Sequence, residues 1–153
     1  MQEVRAEGLD QLLDRLQDSP EVFRDARSKA LDAAGRELLA AVRARIGGSG
    51  RVAAWQDSFR GSGGGYVAVR PKAKTYVTSS SGRRYAVGQV TNAIESGHDQ
   101  EPGRYVPAIG ARLRRDRVPG KYMYQMTGPD AERLAQQACD QITKEVVQKL
   151  GGS

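Results

Sequence analysis

The chain has one cysteine, Cys139, so it cannot form an intramolecular disulfide, and a reducing compartment is the default expectation. No apolar run approaches the roughly 20 residues that a membrane helix needs. The first residues lack the basic and apolar regions of an export signal. One histidine and one cysteine are too few soft ligands for a zinc site. We therefore expect no metal, no cofactor and no membrane partner.

Glycine and positive charge are what the chain has in excess. Its 153 residues include 18 glycines, and 39% of them are hydrophobic. This length predicts a single domain, 1–153, that buries a core and carries substantial loops.

The net charge of +6 lies entirely in the middle of the sequence. Residues 1–47 hold 8 Lys/Arg against 9 Asp/Glu, residues 48–128 hold 13 against 5, and residues 129–153 hold 3 against 4. Two nearly balanced ends therefore flank a cationic centre, where we expect an acidic partner to bind.

Helical periodicity dominates both ends of the chain. Leucines at 9, 12, 13 and 16 predict a short amphipathic helix, and Ser19-Pro20-Glu21 predicts a stop and a restart. A second helix is predicted from about Pro20 to Ile46, with Phe23 and several alanines on its core face. The last helix is predicted from Gly128 to about Leu150, with a core face of Leu134, Ala138, Ile142, Val146 and Leu150.

Short elements are predicted between these helices. Residues 66–70 and 75–78 are typical of strands, and 52–59 fits either a short helix or the entry to a strand. We interpret 61–84 as a glycine-rich hairpin that projects from the body. A short helix is predicted from Ala86 to Ser96, with Val87, Val90, Ala93 and Ile94 on one side and Gly97 as its C′ residue.

The long loop 99–120 is predicted to be structureless, and 121–126 to be extended. Loops of such length are often binding segments. The fold class is therefore predicted as α+β, with the helices packed on a small, mainly antiparallel sheet.

No catalytic motif stands out. Gly61–Gly65 lacks the Lys-Ser/Thr of a phosphate-binding loop, so it is interpreted as a hairpin tip. His98 is a lone histidine at a helix end, which is typical of a capping or packing residue. Cys139 is interpreted as a buried small apolar residue instead of a nucleophile. Trp55 and Phe59 are either core residues or interface anchors, and we favour the core. We predict no enzymatic activity and no catalytic residue. The alternative, an enzyme, would show pH-dependent activity that is lost when His98 is substituted.

Arginines form the candidate interface. Each could be a solvated surface residue or could contact DNA phosphate or an acidic protein surface. The candidates lie in the hairpin and the loop: Arg83, Arg84, Arg104, Arg112, Arg114, Arg115 and Arg117.

Three segments resemble the neck, or tail-completion, proteins of long-tailed double-stranded-DNA bacteriophages. The first is the opening Gly8-Leu-Asp-Gln-Leu-Leu with the following Ala/Arg helix, and the second is Val90–His98, which carries the motif residues Asn92, Glu95, Gly97 and His98. The third is Val118–Tyr124, which carries Pro119, Gly120 and Tyr122. Where the family often has a Thr-Gly-x-Leu segment, this chain has Trp55-Gln-Asp-Ser-Phe59.

The resemblance implies a structural virion protein at the head–tail junction, assembled in the host cytoplasm. It implies a ring of six copies around the passing DNA, between a head-side connector or stopper and the tail terminator or tail tube. One alternative keeps the protein in the neck but makes it the tail terminator, which caps the tail tube. The other alternative is a protein unrelated to the neck, a small basic nucleic-acid-binding protein.

Overall fold

The computed structural model describes residues 9–47, 50–100, 102–106, 111–112 and 116–151. Four helices and eight short strands follow one another along these residues, and all strand pairs are antiparallel. The α+β prediction is confirmed, but the strands form separate two-stranded ribbons instead of one sheet. The elements in order are α1 Leu9–Ile46, α2 Arg51–Ala54, β1 Gln56–Arg60, β2 Val67–Pro71, β3 Tyr76–Thr78, β4 Arg84–Ala86, α3 Val87–Ser96, β5 Gly97–Asp99, β6 Tyr105–Val106, β7 Ala111–Arg112, β8 Arg117–Pro119, a 3-10 helix Gln125–Thr127 and α4 Gly128–Gly151.

The helix α1 continues through Pro20 for 38 residues, so the predicted stop and restart at Ser19 is wrong. Proline removes one backbone donor, but its fixed φ near −65° is itself a helical value. The helix ends at Ile46 as predicted, where Gly47 takes a positive φ of 63°.

The helices α1 and α4 pack antiparallel, with Arg45 near the end of α1 bonded to Asp130 near the start of α4 at 2.7 Å. Leu134 and Ala138 are buried on the predicted core face of α4. Cys139, the residue after Ala138, is exposed, so its assignment to the core is wrong. Phe23 is 46% exposed, and the ring is covered by Arg27 instead of by the core.

The β1–β2 hairpin packs across the middle of α1 at Gly35. A β-carbon at Gly35 would lie 2.7 Å from Val67 Cγ2, which explains the glycine at this helical position. The turn after β1 is closed by hydrogen bonds from Gly61 N to Tyr66 O at 3.0 Å and from Gly64 N to Gly61 O at 2.8 Å. Phe59 is half-buried under the Arg70 guanidinium, and Trp55 is also half-buried, so neither is a full core residue.

The region 61–84 is divided between two hairpins, so the single projecting hairpin was a wrong interpretation. Its first residues belong to the β1–β2 hairpin that packs on α1, and its last belong to a second hairpin, β3–β4. The glycines at 61–65 indicate a turn in the sequence. Which strands flank that turn is decided by strand pairing, which the sequence does not show.

The core cluster lies where α1 ends. Val42 and Ile46 pack there with Met123, which is fully buried, and Val69 and Ile94 border them. Lys121 Nζ donates to the carbonyl of Ile46 at 3.0 Å, so a residue 75 positions away satisfies a free carbonyl at the end of α1. Among the described residues, no helix is long and apolar enough to cross a membrane.

Candidate assembly interface

The described residues between Gly97 and Pro119 form a two-stranded arm, which we call the basic arm. Its base is β5 paired with β8, and its outer part is β6 paired with β7. Gln100 N donates to Asp116 O at 2.8 Å and extends the ladder beyond the base. The prediction that 99–120 is structureless is therefore wrong. Its strands are two or three residues long and show no alternation that could have revealed them.

The base of the arm is held by two glycines, Gly97 and Gly120. Gly97 ends α3 with a φ of 78°, and a β-carbon there would overlap the carbonyl oxygen of Val118. A β-carbon on Gly120 would overlap the carbonyl oxygen of Glu95. Two of the segments that carry the resemblance, 90–98 and 118–124, therefore meet backbone to backbone.

Glu95 joins the base of the arm to the last helix. Its carboxylate accepts hydrogen bonds from Tyr124 N at 3.0 Å and Gln125 N at 3.2 Å, at the start of the 3-10 helix that leads into α4. Its backbone carbonyl accepts from Tyr122 N at 3.0 Å. A carboxylate at this position satisfies free N–H groups and opposes the positive end of the helix dipole.

The segment 121–126 turns sharply instead of being extended, which corrects the prediction. Tyr122 has a left-handed φ of 50°, and Met126 N then donates to Tyr122 O at 2.8 Å. The turn drives Met123 into the core, where it is fully buried. Burial of this one apolar side chain gives a physical reason for the bend.

A buried polar network lies beside this turn. The Tyr124 hydroxyl donates to Gln56 Oε1, while Gln56 Nε2 donates to Val52 O at 3.1 Å and to Thr91 Oγ1 at 3.3 Å. Gln56 and Thr91 are fully buried. Burial, and secondarily the charge of Glu95, raise the pKa of Tyr124 to about 12. Sequence analysis missed Gln56 and Thr91, because a polar residue type gives no sign that it will be buried.

Only part of the predicted apolar side of α3 faces the core. Val87 is buried and Ile94 packs on the core cluster, and Thr91 is buried beside them, whereas Val90 and Ala93 are only half-buried. These two line an open groove of about 770 Å³ between α3 and the β3–β4 hairpin. We call it the α3 groove; its lining residues are Arg83, Arg84, Tyr85, Gln89, Val90 and Ala93.

The predicted interface arginines fall into two groups. Arg83 and Arg84 are exposed on the β3–β4 hairpin, before α3, and Arg84 lies 4.4 Å from the centroid of the Tyr76 ring. The basic arm, after α3, carries the exposed Arg104, Arg112 and Arg117. Arg114 and Arg115 lie outside the described residues.

Two of the arm's arginines have partners within the arm. Arg112 Nη1 donates to Gly103 O at 2.8 Å, and Arg117 Nη1 lies 3.3 Å from Asp99 Oδ1. Both pairs are exposed, so they add little to stability and leave the guanidinium groups accessible.

The motif residues are only partly brought together. Six of them lie at the base of the arm: Glu95, Gly97, His98, Pro119, Gly120 and Tyr122. The His98 side chain is exposed there, opposite Val118, and Asn92 is exposed on α3, away from the base. In the described part of the chain, no three His, Cys, Asp or Glu residues are grouped so as to hold a metal ion.

No protein family, curated protein or solved structure matches this chain.

Proposed function

We propose that this protein is a subunit of the neck of a long-tailed bacteriophage and joins the DNA-filled head to the tail. The observation that carries the proposal is the contact between Gly97 and Gly120. The two best-defined segments of the resemblance, separated by about 20 residues, form one structural unit at the base of an arm. Residues with a shared structural purpose are what a family signature would preserve.

The architecture suits a subunit of a closed ring. Such rings form through head-to-tail contacts between two different surfaces of the same chain. The basic arm is anchored at its base by backbone hydrogen bonds and by Glu95, so its exposed strands can reach a neighbouring ring while α1 and α4 form the body. We propose six copies around the passing DNA. The neighbours would be a head-side connector or stopper and, on the other side, the tail terminator or tail tube.

Electron microscopy of particles made without this gene tests the proposal. DNA-filled heads beside separate, finished tails are the expected result. Abnormally long tails would identify a tail terminator instead, and intact infectious virions would contradict a neck role.

Complementation with arm variants makes the test specific. The variant Arg112→Glu/Arg114→Glu/Arg115→Glu/Arg117→Glu should stay folded and fail to restore joining. Lys144→Glu/Lys149→Glu on the exposed side of α4 is the control and should restore it. Normal joining by the folded arm variant would exclude these arginines from the contact.

A second candidate, a nucleic-acid-binding protein, has one observation in its favour. The Arg84 guanidinium lies over the exposed Tyr76 ring, and the exposed Tyr85 and Tyr105 directly follow Arg84 and Arg104 in the sequence. Arginine with a stacking aromatic is typical of nucleic-acid surfaces. This candidate predicts binding to free duplex DNA that weakens steeply with added salt. A wall of the DNA channel would instead bind weakly, because tight binding would impede DNA passage.

A further inference from the structure

Acidic residues recur along the N-terminal half of α1 at the helical period. Their successive spacings are four, four, three and four residues, which place them on one face of a helix. We call them the acidic stripe: Asp10, Asp14, Asp18, Glu21 and Asp25. Residues 9–25 contain only two basic residues, so the segment has a net charge of −3. It is the opposite in charge to the cationic centre of the chain.

A later acidic residue on the same face already binds an arginine of a hairpin. Asp32 lies seven residues, or about two turns, after Asp25, and its Oδ1 is 3.3 Å from Arg60 Nη2 of the β1–β2 hairpin. The tip of the β1–β2 hairpin reaches α1 near Arg27, where a β-carbon on Gly64 would lie 3.8 Å from Arg27 Nη2. The stripe continues toward the N-terminus beyond the hairpin.

The stripe also extends beyond α4. The two helices are antiparallel with Arg45 bonded to Asp130, and α4 has 24 residues against 38 in α1. At about 1.5 Å per residue, α4 therefore ends roughly opposite residue 24 of α1. Most of the stripe lies on the part of α1 that extends past its partner helix. Glu21 is exposed and lies 3.6 Å from the similarly exposed Arg24, a surface pair that leaves the carboxylate accessible.

The α3 groove offers the complementary surface. Arg83 and Arg84 form its basic rim, and among the described residues neither is ion-paired. Val90 and Ala93 give it an apolar floor. A helix with acidic side chains is therefore complementary to the groove in charge.

We propose that the acidic stripe of one copy binds the α3 groove of a second copy. The stripe and the groove are different surfaces, so the contact is head-to-tail and can repeat around a ring. This inference rests on the proposed function and names the two surfaces that form its subunit contact. It assigns the β3–β4 hairpin to contacts within a ring and leaves the basic arm for neighbouring rings.

Charge reversal on each surface tests the contact. The groove variant is Arg83→Glu/Arg84→Glu, and the stripe variant is Asp18→Lys/Glu21→Lys. Sedimentation velocity of the full chain at low salt, up to millimolar concentration, measures association. We expect the wild-type chain to associate and each variant to lose at least about tenfold in association constant, since like charges then face each other.

Mixing the two variants provides the decisive measurement. Each supplies the surface that the other has lost, so the equimolar mixture should form dimers with wild-type affinity. The control Lys144→Glu/Lys149→Glu carries the same change in charge as the groove variant and should associate normally. Circular dichroism verifies folding, and Arg83→Gln/Arg84→Gln replaces the groove variant if that variant unfolds.

Three results would overturn the inference: a wild-type chain that stays monomeric, a groove variant that associates normally, or a mixture that does not recover. Loss of duplex DNA binding in the groove variant, with association intact, would identify a nucleic-acid surface. The neck proposal is judged separately, because particles lacking the gene can accumulate unjoined heads and tails whichever surfaces the copies use.

Discussion

Gly97 and Gly120 lie so close together at the base of the basic arm that neither position has room for a β-carbon. Gly97 also requires a positive φ, whereas Gly120 is limited by space alone. This pair fixes where the arm leaves the body.

We predict that Gly120→Ala destabilises the fold by about 1–3 kcal/mol, because the new methyl group overlaps the backbone at Glu95. Gly97→Ala should cost more, since it adds an unfavourable φ to the overlap. Urea denaturation measures both. The control is Gly88→Ala in α3, where a β-carbon meets nothing within 4 Å; it should be neutral or stabilising. Equal stability of all three variants would show that the close approach imposes no constraint.

Glu95 should stabilise the link to α4 through its side chain. Glu95→Ala removes the acceptor for the backbone N–H groups of Tyr124 and Gln125. We expect a loss of about 1–3 kcal/mol in the free energy of unfolding, as for hydrogen bonds to a charged group. Glu95→Gln should lose less, because the amide oxygen can still accept one bond. Glu132→Ala, at an exposed position of α4, serves as the control in thermal denaturation, and an equal Tm for both alanine variants would contradict the cap.

Tyr124 should give the protein a distinctive alkaline titration. Its pKa is about 12 in the folded state against 10.0 for a free tyrosine. Between these values the unfolded chain releases a proton that the folded chain retains, so stability falls as pH rises from about 10 to 12. Ultraviolet difference absorbance should show one tyrosine ionising later than the rest, and Tyr124→Phe should remove that late step. A late step that survives in the variant would assign it to another tyrosine.

Gly35 should be required for packing of the β1–β2 hairpin on α1. Alanine would gain about 1 kcal/mol of helix propensity, but its β-carbon would lie 2.7 Å from Val67 Cγ2. Because overpacking typically costs about 1–3 kcal/mol, we expect Gly35→Ala to be destabilising on balance.

Adding Val67→Ala to Gly35→Ala removes the methyl group that the new β-carbon overlaps. The double variant therefore tests whether this overlap causes the loss of stability. The double variant should be more stable than the sum of its two single changes predicts, as a chemical denaturation cycle would reveal. Simple additivity would show that the two positions do not contact each other.

The long elements were predictable, because helical periodicity is a local property that many residues repeat. The end of α1 at Ile46, the body of α4 and the extent of α3 all agree with the sequence prediction. The prediction failed at Pro20, where a single local signal for a break was weaker than the helical preference of the residues on both sides.

The arrangement of the motif residues was not predictable from the sequence. Glu95, Gly97, Pro119, Gly120 and Tyr122 were selected from two separate segments, and nothing in either segment indicates that they touch. The strands of the basic arm are too short to show alternation, and pairing such as His98 with Val118 joins residues 20 positions apart. Gln56 and Thr91 gave no signal, since only the surrounding structure makes a polar side chain buried.

The sequence by itself determined the α+β class, the end of α1, the extents of α3 and α4, and the separation of charge between a cationic centre and nearly neutral ends. These follow from composition and from local periodicity. Only the tertiary structure decided that Gly97 meets Gly120 and that Glu95 caps the approach to α4. It also decided that Arg83 and Arg84 border a groove, while the other described arginines of the candidate interface, Arg104, Arg112 and Arg117, lie on the arm. Contacts between distant residues depend on which surfaces can pack without overlap, and that is a property of the whole chain.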